Sequence, residues 1–124
     1  MDPLNPVRVL VVEDNPDTAE SLRCILVECG FHVAVAHNTK DGLRTARQLE
    51  PQVVLCDIGL PDGDGYAVGS MLRQSAPTHT ARLIAVTGHA EPTDRQRALA
   101  AGFDQHLAKP VDPATLLREL ELTL

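Results

Sequence analysis

Tryptophan is missing from the chain, and Phe31, Tyr66 and Phe103 are its only aromatic residues among 124. A core therefore has to be assembled from Val, Leu, Ile and Ala. No apolar run approaches the length that spans a bilayer, so membrane insertion is not expected. The opening MDPLNPVR lacks the basic and then apolar order of a secretory leader. Cysteine is scarce and odd in number, three residues, and nothing points to an oxidising compartment. The cytoplasm is the expected location. Positive charge is also sparse: the net charge is −6, and Lys and Arg form no basic stripe. Neutralising a phosphate backbone needs such a stripe, so direct nucleic-acid binding is not expected.

What remains is ordinary for a soluble globular protein, 44% hydrophobic and 23% charged. The length predicts a single domain over residues 1–124. No internal repeat or low-complexity tract interrupts it. A short β-branched run followed by a helix-period segment recurs five times. The runs are Val7–Val12, His32–Ala36, Val53–Cys56, Leu83–Val86 and His106–Ala108. The first, third and fourth are nearly continuous apolar strings, as suits strands covered on both faces of a parallel sheet.

Start and stop signals bracket the helices. Asn15-Pro16 opens the first, Leu22, Ile25, Leu26 and Cys29 form its apolar stripe, and Gly30 ends it. The second spans about Thr39 to Glu50 before Pro51, with Leu43, Ala46 and Leu49 inward. The third covers roughly Tyr66–Gln74 and carries Ala67, Val68, Met71 and Leu72. The fourth follows Pro92 and stops at Gly102. The fifth opens at Asp112-Pro113 and presents Leu116, Leu117, Leu120 and Leu124. Five βα units in a row predict a doubly wound α/β sandwich.

Open parallel sheets bind ligands at the carboxyl ends of their strands. The first strand ends in Glu13-Asp14, the third in Asp57, the fourth in Thr87 and the fifth in Lys109. Three carboxylates, one hydroxyl and one ammonium thus meet at one edge. Hard oxygens from Asp14 and Asp57, with a backbone carbonyl and water, suit the octahedron of Mg²⁺ (or Mn²⁺). A carboxylate there is placed to attack phosphorus and form an acyl phosphate. Mg²⁺, Lys109 and the Thr87 hydroxyl supply the charge stabilisation that phosphoryl transfer needs. Nine arginines stand against two lysines, so Lys109 is not this chain's default cation. A compact ammonium suits a small anionic site better than a planar guanidinium.

These residues resemble those of the response-regulator receiver family, and the likeness runs from Val7 to Leu124. Glu13-Asp14 resembles the family's acidic pair. The segment CDIGLPDGDGY (Cys56–Tyr66) resembles the stretch holding the phospho-accepting aspartate, here Asp57, with Pro61 and Gly65 in its loop. Thr87 falls at the switch hydroxyl, and Lys109-Pro110 at a pair whose peptide bond is usually cis in the family. The resemblance implies a (βα)5 flavodoxin-like fold with a five-stranded parallel sheet of order 2-1-3-4-5, an order for which general fold rules already cite a chemotaxis receiver. It implies Glu13, Asp14 and Asp57 as metal ligands, joined by the backbone carbonyl of Gly59. It implies a phosphohistidine donor on a histidine kinase or histidine phosphotransfer domain, and a downstream effector protein or domain. A homodimer through the fourth and fifth helices is a further expectation. The C-terminal wording, TGHAEPTDRQRALAAGFDQHLAKPVDP, is most similar to receivers of hybrid sensor kinases. The expectation is thus either a stand-alone receiver or a fragment of such a kinase.

Two positions depart from the family pattern. His106 stands three residues before the lysine, where Tyr or Phe is frequent, and Gly88 follows Thr87, where Ala is common. His106 is expected half-buried on an interaction face, with protonation near neutral pH as the sharper alternative. His89 is placed to influence water above an acyl phosphate. Two other functions compete. A pseudo-receiver would bind without phosphorylation, but the complete set Glu13, Asp14, Asp57, Thr87 and Lys109 speaks against it. A haloacid-dehalogenase-type hydrolase needs a second carboxylate two residues after its nucleophile, and Gly59 occupies that place. Turnover of external substrates is therefore not expected, only self-catalysed phosphorylation and dephosphorylation.

Several polar residues have plainer readings. Asp62 and Asp64 are expected as turn formers with Gly63 and Gly65. Cys24, Cys29, His32 and His37 do not share a face suited to zinc, and Cys24 and Cys56 are expected in the core.

Overall fold

The computed structural model describes residues 4–88 and 92–121. Five strands, β1 (Arg8–Val12), β2 (His32–Ala36), β3 (Val53–Asp57), β4 (Arg82–Thr87) and β5 (Gln105–Ala108), alternate with five helices. These are α1 (Pro16–Glu28), α2 (Thr39–Leu49), α3 (Gly65–Arg73), α4 (Pro92–Ala100) and α5 (Pro113–Glu121). The sheet order is β2-β1-β3-β4-β5, every neighbouring pair parallel. The expected fold and strand order are both found.

Strand parity builds two cores. Leu10, Val12, Val54, Cys56, Leu83 and Ala85 point to one face, where Ala46 of α2, Val68 and Leu72 of α3 and Ala98 of α4 cover them. Val9, Val11, Val53, Leu55 and Ile84 point to the other, under Leu22 and Leu26 of α1 and Leu116 and Leu120 of α5. With both faces buried, the central strands have no reason to alternate in polarity, which explains their continuous apolar strings.

The helix starts follow their caps. Asn15 accepts hydrogen bonds from the Asp17 and Thr18 amides at α1, and Asp64 accepts one from Tyr66 at α3. At the end of α2, Glu50 adopts a left-handed φ of 52°.

Several inward assignments need correction. Cys24 and Cys29 are exposed, and only Cys56 is buried. Helix α1 buries Ala19, Leu22 and Leu26. Cys24, two residues past Leu22, is turned about 200° from that stripe at 3.6 residues per turn. Cys29 is the C-cap, beyond the regular helix. In α3 the buried residues are Gly65, Val68, Gly69 and Leu72, while Ala67 is exposed and Met71 is 46% exposed. Gly69 is inward because the Phe103 ring packs against it. A Cβ there would lie 2.4 Å from a ring carbon. His89 and Leu124 lie outside the described residues.

Candidate functional site

The carboxyl ends of β1, β3, β4 and β5 supply the polar residues that the sequence placed there. Glu13 extends β1 by one more ladder bond, its amide donating to Ala36 O at 2.9 Å. That turn points its side chain inward, to 2% exposure. Glu13 Oε2 accepts the Asn15 amide at 3.3 Å, while its carbonyl lies 3.0 Å from His37 Nδ1. Asp14 is exposed at the rim.

Asp57 is the last residue of β3 and is 7% exposed. Its Oδ1 accepts the Gly59 amide at 3.1 Å. The loop after it folds back tightly: Gly65 N donates to Ile58 O at 3.1 Å. A Cβ on Gly65 would meet Asp57 O at 2.5 Å and Ile58 Cα at 2.6 Å. Only glycine permits that approach.

From the far side, Lys109 reaches in. Its amide donates to Thr87 O at 2.8 Å, which fixes β5's end beside β4. Its Nζ lies 2.5 Å from Glu13 Oε1 and 3.2 Å from Asp57 Oδ2. Thr87 is buried next to it. The Lys109–Pro110 peptide is cis, as the resemblance implied.

The electrostatics follow from crowding. Burial, together with the neighbouring Asp57 carboxylate, pushes Glu13 up to about 7 in spite of Lys109. Burial also works upward on Asp57, but Glu13, the Gly59 amide and Lys109 together hold it below its ordinary value. Lys109 loses by burial and gains more from Glu13 and Asp57, so its ammonium is held charged. Glu13, Asp14 and Asp57 each offer an oxygen within 4.8 Å of the others. Among the described residues this is the one grouping of metal-ligating side chains, and it contains neither cysteine nor histidine. Hard oxygens with excess negative charge fit a small divalent cation.

The site's outer wall was not legible in the sequence. A cleft of about 420 Å³ is lined by Asp57, Thr87 and Lys109 from the sheet edge and by Tyr66, Asp94 and Arg97 from α3 and α4. Arg97 Cζ stands 4.4 Å from the Tyr66 ring centroid. Asp62 lies in a turn as expected, and in addition accepts the Thr39 and Lys40 amides at 2.7 and 3.2 Å. It thereby caps α2 from the β3–α3 loop. His106 is half-buried as expected, and its Nε2 is enclosed without a hydrogen-bond partner.

A doubly wound sheet with an acidic cluster and one lysine at its carboxyl edge defines a receiver-type phospho-switch architecture. The chain belongs to the response regulator receiver domain family, whose model matches residues 9–121. It is 38% identical over 118 residues to an uncharacterized 14.6 kDa protein of Leptolyngbya boryana, spanning 95% of this chain and 90% of that one. It is 36% identical over 117 residues to protein PilH of Pseudomonas aeruginosa, spanning 94% of this chain and 97% of PilH. Among solved structures, the receiver domain of sensor histidine kinase PA1611 of Pseudomonas aeruginosa PAO1 superposes with a TM-score of 0.86 at 30% identity. The match covers 95% of this chain and 97% of that one. That receiver carries a magnesium ion coordinated in its active-site cleft. The match agrees with the sequence likeness to receivers borne by sensor kinases.

Proposed function

We propose that Asp57 accepts a phosphoryl group from a phosphohistidine of a histidine kinase or histidine phosphotransfer domain, and that the resulting charge alters a surface read by an effector. The observation that carries this reading is the Lys109 ammonium, set between Glu13 and Asp57 at the floor of an open cleft.

Each residue has a task there. The Asp57 oxygen attacks phosphorus, the bond to the donor nitrogen breaks, and the imidazole leaves with its electron pair. Lys109 faces the oxygens on which charge accumulates, and the Thr87 hydroxyl approaches the transferred group. Glu13, Asp14, Asp57 and the Gly59 carbonyl would hold Mg²⁺. When bound, that cation screens the carboxylates and the phosphoryl oxygens. The site is an acceptor for one group rather than a turnover centre, because Gly59 stands where a hydrolase of the aspartyl-phosphate type needs a carboxylate.

The same reading keeps the protein in the cytoplasm with its donor. Among the described residues, no helix is long and apolar enough to cross a membrane. A homodimer through α4 and α5 also belongs to it, supported by Leu99 of α4, 48% exposed. Sedimentation before and after phosphorylation tests that part.

The main test is intact mass after incubation with Mg²⁺ and acetyl phosphate. One phosphoryl adduct on the wild type, absent in Asp57→Asn, is the expected result. No adduct favours the pseudo-receiver, and multiple-turnover phosphate release from small esters favours a hydrolase.

A further inference from the structure

The cleft above Asp57 has two unequal walls. On its inner side, the Lys109 charge is already engaged by two carboxylates, Glu13 at 2.5 Å and Asp57 at 3.2 Å. The Lys109 charge is thus shared with the carboxylates of the floor before any phosphoryl group arrives. On the outer side stands Arg97, an exposed guanidinium lining the same cleft. Among the described residues it makes no ion pair.

Tyr66 keeps Arg97 in that place. The ring sits 4.4 Å beneath the guanidinium carbon, and the Tyr66 hydroxyl donates weakly to Asp94 O at 3.5 Å. Stacking on an aromatic face orients a guanidinium without using its N–H donors. The donors therefore stay available to a ligand. Asp94 also lines the cleft, but it offers Tyr66 its backbone carbonyl and holds no ion pair with Arg97.

We propose that Arg97, braced on Tyr66, is a specificity-determining cation of the phosphodonor site, favouring donors of higher net negative charge. This rests on the assignment of Asp57 as acceptor. An uncommitted positive charge at the mouth of a cleft concentrates anions in proportion to their charge, and added salt screens the effect. Acetyl phosphate, a dianion near neutral pH, should gain more from Arg97 than phosphoramidate, a net monoanion. In both reactions Asp57 forms the new P–O bond. Acetyl phosphate loses acetate through its P–O bond, and phosphoramidate loses ammonia through its P–N bond.

The test compares initial phosphorylation rates with each donor, at fixed Mg²⁺ and at two ionic strengths, in wild type, Arg97→Gln, Arg97→Lys and Tyr66→Leu. In Arg97→Gln the acetyl phosphate rate should fall about fivefold and the phosphoramidate rate about twofold. The salt dependence should flatten for acetyl phosphate. Arg97→Lys should restore most of the donor preference, and Tyr66→Leu should lose part of it. Equal losses with both donors, or unchanged rates and salt dependence, would overturn the proposal. Arg97 would then only stack α4 on α3, and a shift in Tm alone would report that. If wild type gains phosphate at Asp57 but the variants match it, only the Arg97 assignment fails. If wild type gains none, both assignments fail.

Discussion

The Lys109 ammonium lies 2.5 Å from Glu13 and 3.2 Å from Asp57, so one cation joins the ends of β1, β3 and β5. It balances ground-state crowding and faces the oxygen proposed to take the phosphoryl group. Removing it should therefore harm chemistry more than folding. In Lys109→Gln the rate of phosphorylation by acetyl phosphate should fall about a hundredfold, the loss seen when a single transition-state donor is removed. Stopped reactions followed by intact mass measure it. A variant reacting at the wild-type rate would remove Lys109 from the mechanism.

Asp14 carries a different share. Being exposed, it adds little to the core, and its proposed role lies in holding the divalent cation. Asp14→Asn should leave the Mg²⁺-free Tm near that of wild type. It should weaken Mg²⁺ binding by about tenfold or more in calorimetric titration. It should also shrink the rise in Tm that Mg²⁺ gives, since at a fixed ligand concentration the stabilisation falls with the logarithm of the weakened affinity. Equal affinities would place the cation elsewhere.

The β3–α3 loop offers a test of shape. Gly65→Ala would push a Cβ into backbone atoms of Asp57 and Ile58 at 2.5 and 2.6 Å. Backbone cannot yield as a side-chain tip does, so the change should cost about 1–3 kcal/mol of stability in urea unfolding. It should also displace Asp57, lowering phosphorylation by any donor. Wild-type stability would contradict the close approach of Gly65 to Asp57 and Ile58.

Asp62 supplies the pH dependence. The Thr39 amide above all, opposed by burial and helped by the Lys40 amide, holds its carboxyl below the ordinary value in the folded state. Protons then bind the unfolded chain more readily, so this contribution is full above the unfolded pKa and fades as pH falls through the folded one. Asp62→Ala should lower Tm near neutral pH and converge with wild type in strong acid. A constant gap down to the acid limit would contradict the cap.

Much of this was readable in the chain because strand parity and strand ends are local properties. Val9 to Val12 and Val53 to Cys56 run unbroken through both cores, and the residues following them fall at the carboxyl edge. That is why Glu13, Asp57, Thr87 and Lys109 were found together. Facing was less legible where the apolar stripe is short. Cys24 and Met71 look interior by composition, yet helix phase turns both outward. Long-range contacts left no local mark. Asp62 capping α2 spans more than twenty residues, Gly69 is inward only because Phe103 returns to it, and the Tyr66–Arg97 wall joins two helices. Asp62 has the composition of a turn residue, and only the fold gives it a second use.

The most direct measurement locates the acyl phosphate itself. After Mg²⁺ and acetyl phosphate, borohydride reduction converts an aspartyl phosphate to homoserine, and peptide sequencing by mass spectrometry finds the position. Homoserine at position 57 and nowhere else is the expected result. Homoserine at another aspartate, or phosphate on a serine, threonine or histidine with Asp57 intact, would contradict the assignment of the acceptor.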